Sequence, residues 1–416
     1  MTEGIFILKQ FSPKPYKLYN AIKYYEWGTR NEAAFIPHFL GIKAEPNVPY
    51  AELWIGAHPK ASSEIEIDQV RIPLNKVIED YPAECLGAYV CKSFSNTFPF
   101  LLKILSAANA LSIQTHPNKS QARQLHAKDP NNYPDDNHKP EVAIALDSLI
   151  ALAGFKPARS IRNNLESLPE VCELVGQKLI DEVLNSNNPS TEESLIEKAY
   201  KAFMQHAEDK ERLTSCISKI QKRLADKTSR SPEEKQFLEQ HRLFGDDIGL
   251  FSFFFFNLVR LKQGQAIFTD AGIPHAYIKG NICECMANSD NVVRAGLTNK
   301  FKDVGTLLDI IRYDFAECPV MQAGADTSKT TYRTTAKEFE VSRFQKPEGF
   351  SEKCVSGDRP SVYLIMNGSL DIKWNSNGSG QSAHYTAGES FFVPASLSLY
   401  GISTNHEAEY FTVVIP

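Results

Sequence analysis

Between residues 157 and about 247 the chain changes texture, and that change limits its architecture more than any other feature. The segment is densely charged, with apolar residues recurring every three or four positions, the spacing that lays one apolar stripe along a helix. Ser190 with Glu193, and Ser231 and Pro232 with Glu234, have the form of capping boxes. In such a box a serine oxygen accepts from an otherwise orphaned N–H of the first helical turn. Leu195, Ala199 and Phe203 then fall on one helical face. The charge is the solvated side of those helices.

The flanking regions follow a different rule. The first ~155 residues are rich in proline, glycine and aromatics, and the short apolar runs 51–56, 98–105 and 111–116 read as strands between turn signals. No long helical pattern separates them, so antiparallel sheet is expected rather than βαβ units. Strand character returns at Phe251, with a turn at Gln263 and Gly264, a strand over 266–268 and a second turn at Gly272, Ile273 and Pro274. A helix is expected over 304–312. The final ~90 residues read as β again, with 361–366 and 369–374 joined at Asn367 and Gly368 as a hairpin. The aromatic run Phe253 to Phe256 is expected to be buried core.

The expected fold is therefore mainly β, with an α-helical domain inserted between β regions. Its segments are 1–155, the helical domain 156–248, the return to the first β domain over 249–325, and a second β domain over 326–416.

A chain of 416 residues has room for two or three domains at ~100–200 residues each. Its 42% hydrophobic and 23% charged residues are ordinary for a soluble protein. A net charge of -5 without a long basic run gives no reason to expect nucleic acid. No apolar stretch approaches the ~18 residues of a membrane span, and the densest, 251–259, contains Asn257. The N-terminal sequence lacks the pattern of a secretory signal. The eight cysteines are scattered, and the close pair Cys283 and Cys285 has no second pair to complete a zinc set. Reduced thiols in a cytoplasmic protein are the expectation.

Gln114 and His116 lie two apart in an expected strand, so their side chains emerge on one face. Glu141 follows in His138-Lys139-Pro140-Glu141, and His275 in the Gly-x-Pro-His turn. Two imidazoles, a carboxylate and an amide oxygen suit a borderline divalent cation. Spacing alone leaves open that these are polar strand residues satisfied by hydrogen bonds. His38, His206, His241, His384 and His406 have no comparable company.

The segments LSIQTHPNKSQA, YPDDNHKPEVAIAL, GIPHAYIKG and ECMANSDNVVRAGLTNKFKDV, in that order, resemble type I phosphomannose isomerases. YYEWGTRN near Trp27 and AELWIGAHPKASS near Trp54 extend the resemblance over nearly the whole chain. Asn299 and Ser62 stand where that family usually or often has proline, and neither touches a ligand position. The resemblance implies two cupin (jelly-roll) β domains with the helical domain inserted in the first. It implies one zinc ion per chain, bound by Gln114, His116, Glu141 and His275. The implied reaction interconverts mannose 6-phosphate and fructose 6-phosphate by ring opening and hydrogen transfer between C2 and C1.

Such a reaction needs a group to move the proton and a charge to stabilise the enediolate. Glu284 and Asp290 are the expected proton-transfer groups, and Arg294 the expected cation, permanently charged and fork-shaped. Lys103, Ser112, Lys139 and Lys300 are expected around the sugar phosphate, with Tyr277 and Trp27 lining the cavity. A small sugar phosphate is the expected partner, with no nucleic acid or membrane, and a monomer is the expected working unit. The second β domain lacks a matching ligand set and is expected to be metal-free.

Overall fold

The computed structural model describes residues 11–323, 328–376 and 378–416. The expected boundary between 325 and 326 lies outside the described residues, as does the segment 1–10. The chain divides into two compact units. The first contains the chain up to Ser106, Cys283–Asn288 and the chain from Gln322 onward; the second contains Ala107–Ile282 and Ser289–Met321. Helix makes up 30% and strand 32%, so helices and several sheets share the fold in similar measure. Among the described residues no helix is long and apolar enough to cross a membrane.

The second unit holds the helical segment. Its helices include Ala158–Glu166, Gln177–Leu184, Pro189–Met204, Lys210–Ala225 and Pro232–Phe244. Pro232–Phe244 opens with the expected capping box: Ser231 Oγ accepts from the Glu234 N–H at 3.2 Å, and the Glu234 carboxylate accepts from the Ser231 N–H at 2.8 Å. Pro189–Met204 starts earlier than expected. Its cap is Asn188, which accepts from the Thr191 N–H at 3.2 Å. Pro189 then occupies the first helical position, where a missing N–H costs nothing. Ser190 and Glu193 therefore lie inside the helix and form no box. Leu195, Ala199 and Phe203 are buried, as the spacing predicts.

Phe253 to Phe256 are buried too, but Ser252–Phe255 is a short helix and the strand begins only at Phe256. An unbroken aromatic run has no period from which to tell helix from strand. Phe155 meets Tyr200, Phe256, Tyr313 and Phe315 at ring separations of 4.9–5.4 Å, locking the strand Leu149–Phe155 to the helices.

The strands of the second unit that position the site pair antiparallel. Leu149–Phe155 pairs with Phe256–Leu261, and Glu141–Ala145 pairs with Ala266–Thr269. Ile113–Thr115 lies between the start of His275–Ala287 and Val293–Gly296, with Gln114 opposite His275 on one side and Arg294 on the other.

In the first unit Glu52–Gly56 pairs with Phe100–Ala107. The C-terminal region, joined by the edge strand Tyr16–Leu18, forms a six-stranded and a four-stranded sheet around an aromatic core that includes Tyr363, Tyr385, Phe391, Tyr400 and Tyr410. Ser361–Asn367 and Ser369–Ser376 are not the expected hairpin. They belong to different sheets, and Gly368 is the corner between them, with φ +73°. A Cβ there would lie 2.2 Å from the Glu407 carbonyl oxygen, so only glycine fits. Ser369–Ser376 pairs instead with Ser379–Thr386.

Candidate metal centre

Three short backbone arrangements in the second unit bring distant residues together. His116 follows directly on the strand Ile113–Thr115, and Glu141 opens Glu141–Ala145. His275 opens its strand after a turn at Gly272, whose N–H donates to the His116 carbonyl at 2.8 Å. Gly272 has φ +80°, and a Cβ on it would meet Arg312 Cγ at 2.7 Å and the Ile310 carbonyl at 2.8 Å. The tight turn therefore needs glycine, and it ties one histidine's backbone to the other's.

His116, Glu141 and His275 are 0%, 1% and 1% exposed. One donor atom from each lies within 4.8 Å of the other two. His275 Nε2 is 3.1 Å from Glu141 Oε2, and His116 Nε2 is 3.5 Å from Glu141 Oε1. The opposite ring nitrogens are spoken for. His116 Nδ1 donates to the Asn291 carbonyl at 2.7 Å, and His275 Nδ1 to the Ile273 carbonyl at 2.9 Å. These bonds place the proton on Nδ1 and leave each Nε2 as a bare lone pair. Among the described residues His116 Nε2, His275 Nε2 and Glu141 Oε2 have no hydrogen-bond partner.

Charge follows the same pattern. Burial pushes the His116 pKa from its ordinary 6.5 down to about 4, more than the neighbouring Glu141 can restore. Burial works to raise the Glu141 pKa, but the Lys139 ammonium, reinforced by the two histidines, holds it well below the usual carboxylate value. Lys139 Nζ lies 3.1 Å from Glu141 Oε1. Two imidazole nitrogens and a carboxylate thus converge in a dry site, an arrangement suited to a cation. Two imidazoles and a carboxylate are the donor set that a borderline divalent ion takes.

The pKa of His116 carries a prediction. Between pH 6.5 and about 4 the unfolded chain binds a proton here that the folded chain does not. Metal-free protein should therefore lose stability as the pH falls through that window, with no further loss from this group below it. A series of melting temperatures on chelated protein should show the fall, and His116→Gln should flatten it. An equally steep fall in the variant would contradict the assignment.

Gln114 is half-buried, on the His116 face and in register with His275; its Oε1 accepts from the Ser112 hydroxyl at 3.3 Å. Tyr277 is buried with its ring 6.2 Å from that of His275. Arg294, directly opposite Gln114, is half-buried, and among the described residues its guanidinium has no hydrogen bond or ion pair. Burial lowers its pKa, with Tyr133 opposing. Asp303 is otherwise engaged: it caps the helix Val304–Ile310 and accepts from the Tyr133 hydroxyl at 2.9 Å. Asp290 is held through its backbone N–H, which donates to Asp135 Oδ2 at 2.7 Å, and Lys300 lies exposed in a turn.

Lys103, Glu284 and Trp27 belong to the first unit. There Lys103 Nζ lies 3.4 Å from Glu284 Oε2 and 3.8 Å from Glu52 Oε2, all three buried, and 5.2 Å over the Trp54 ring. The Trp54 indole N–H donates to Glu52. Trp27 is half-buried and stacks on Tyr25 at 5.8 Å.

Sequence reasoning missed Asn291 and Asp135. Asn291 is fully buried, and its carbonyl fixes the His116 tautomer. Its side-chain amide donates to the Asp135 carbonyl at 2.7 Å and the Asn137 carbonyl at 3.0 Å, which sets the loop. The polar runs Asp135-Asp136-Asn137 and Asn288-Ser289-Asp290-Asn291 were the available signal. Glu52 was likewise missed beside Lys103.

Residues 16–158 match the family model for the phosphomannose isomerase type I catalytic domain. "Mannose-6-phosphate isomerase 2" of Arabidopsis thaliana is 35% identical over 397 residues, 91% of this chain and 88% of that protein. The Mus musculus mannose-6-phosphate isomerase is 36% identical over 380 residues, 86% of this chain and 89% of that protein. An arginine-to-alanine mutant of phosphomannose isomerase from Salmonella typhimurium superposes with a TM-score of 0.82 at 28% identity, covering 95% of this chain and 98% of that one. A mannose 6-phosphate isomerase solved with zinc and yttrium gives 0.81 at 27% identity over 95% and 98%. With identity above a third sustained along almost the entire sequence, the chain belongs to the type I phosphomannose isomerase family.

Proposed function

We propose that the protein is a zinc-dependent mannose-6-phosphate isomerase, with the ion held by Gln114, His116, Glu141 and His275. The observation that carries this reading is the trio of orphaned donor atoms, His116 Nε2, His275 Nε2 and Glu141 Oε2, buried together. When bound, zinc supplies Lewis acidity toward a sugar oxygen.

The chain's own residues do the rest. Lys139 keeps Glu141 ionised and aligned. Arg294 carries charge with no hydrogen-bond or ion-pair partner among the described residues, which suits it to an enediolate forming in a dry site. Glu284 or Asp290 moves the proton between C2 and C1. Lys103, Ser112 and Lys300 bind the sugar phosphate, and Tyr277 and Trp27 exclude water. The larger architecture belongs to the same proposal: two cupin domains, a helical insertion over 156–248, one zinc per chain, and a cytoplasmic monomer.

The direct test is conversion of mannose 6-phosphate to fructose 6-phosphate by purified, zinc-loaded protein. Turnover in the usual enzymatic range of roughly 1–10³ s⁻¹ is expected. No turnover by folded, zinc-loaded protein would contradict the substrate assignment and move a related sugar phosphate to the front.

A further inference from the structure

One buried polar group at the edge of the metal site, the Thr269 hydroxyl, is left without a bonding partner among the described residues. Thr269 is 1% exposed. A hydroxyl taken out of water and left unpaired destabilises a fold, and valine would fill the same space without that loss. Thr269 ends the strand Ala266–Thr269, directly opposite Glu141 in the antiparallel ladder. Residues so opposed project to the same face with their Cβ atoms about 4.5–5.5 Å apart. The turn that follows Thr269 carries Gly272, bonded to the His116 backbone, and then His275. One short segment therefore pairs with the backbone of Glu141, bonds the backbone of His116 and carries His275.

Glu141 has the complementary vacancy in its bonding. Lys139 serves Oε1, whereas Oε2 receives no hydrogen bond. A carboxylate has about four lone-pair sites, enough for a metal, an ammonium and a hydroxyl together. Ligating carboxylates are ordinarily held by further hydrogen bonds that fix their orientation. We propose that Thr269 is a positioning residue of the metal centre: its hydroxyl, unpaired here, turns to donate to the Glu141 carboxylate when the metal is held and fixes the carboxylate in its ligating orientation. The inference rests on the metal-site reading above.

Thr115 supplies the contrast. It is also fully buried with an unpartnered hydroxyl, but strand alternation sends it away from the Gln114 and His116 face, toward Val293. An orphaned hydroxyl is thus not enough; the register opposite Glu141 is what distinguishes Thr269.

The test is zinc affinity by chelator competition, with melting temperatures of the metal-free proteins alongside. Thr269→Val should weaken zinc binding by about 10–100-fold. Its metal-free form should melt no lower than the parent, because the substitution removes an unpaired buried hydroxyl. Thr269→Ser should stay within about twofold of the parent, because it keeps the donor. Thr115→Val should leave zinc affinity unchanged. Thr269→Val with parental affinity overturns the proposal. So does a joint loss of affinity and metal-free stability, which marks a packing role. His116→Ala is the control for the underlying reading: if it too keeps its zinc, the metal site itself is wrong.

Discussion

Replacing His116 with alanine should strip the metal from the protein and lower isomerase activity by about a thousandfold or more. The size follows from what the ion does: Lewis acidity at a reacting oxygen is worth several kcal/mol, and each 1.36 kcal/mol is a factor of ten in rate. His116 is the informative position because it is buried and neutral, so its removal strands no charge. Glu141→Ala is less clean. It leaves the buried Lys139 ammonium without the carboxylate 3.1 Å away, and breaking such a pair costs about 3–5 kcal/mol of stability. His116→Ala should fold, as seen by circular dichroism, yet retain little metal by elemental analysis. A folded variant that keeps a full complement of zinc would contradict the assigned ligand set.

Arg294→Ala should reduce kcat/KM by about 10²–10³, the range seen when one preorganised donor to transition-state charge is removed. Zinc content and melting temperature should hardly change, because the guanidinium makes no ion pair or hydrogen bond among the described residues. Arg294→Lys should rescue poorly, since an ammonium lacks the planar fork. Normal turnover by Arg294→Ala would remove this residue from the mechanism while leaving the enzyme class intact. A parallel loss of zinc would make it a structural support of the strand holding Gln114.

What the sequence revealed depended on whether the information was periodic or local. The helical segment was legible because its apolar residues repeat and Ser231 caps a helix in the regular way. Asn188 took the cap expected of Ser190 because Pro189 fits best at the first helical position, and two adjacent capping candidates look alike in sequence. Asn367 and Gly368 read as a hairpin because the dipeptide usually makes one. At Gly368 the glycine instead serves a close approach to the Glu407 carbonyl, which only tertiary structure reveals.

The metal centre divides in the same way. Gln114 and His116 declare a shared face through strand alternation. Glu141 and His275 are too distant in sequence for spacing to join them, and only the family resemblance did so. Asn291 acts through a main-chain carbonyl, which no side-chain pattern marks. Thr269 resembles any strand threonine until its register opposite Glu141 is known.

A zinc titration of chelated protein, with bound zinc and conversion of mannose 6-phosphate followed together, tests most directly whether turnover depends on the buried site. Activity should be absent from the stripped protein, rise in proportion to zinc bound, and level off at one ion per chain. Turnover that persists in protein shown to be free of metal would contradict the account.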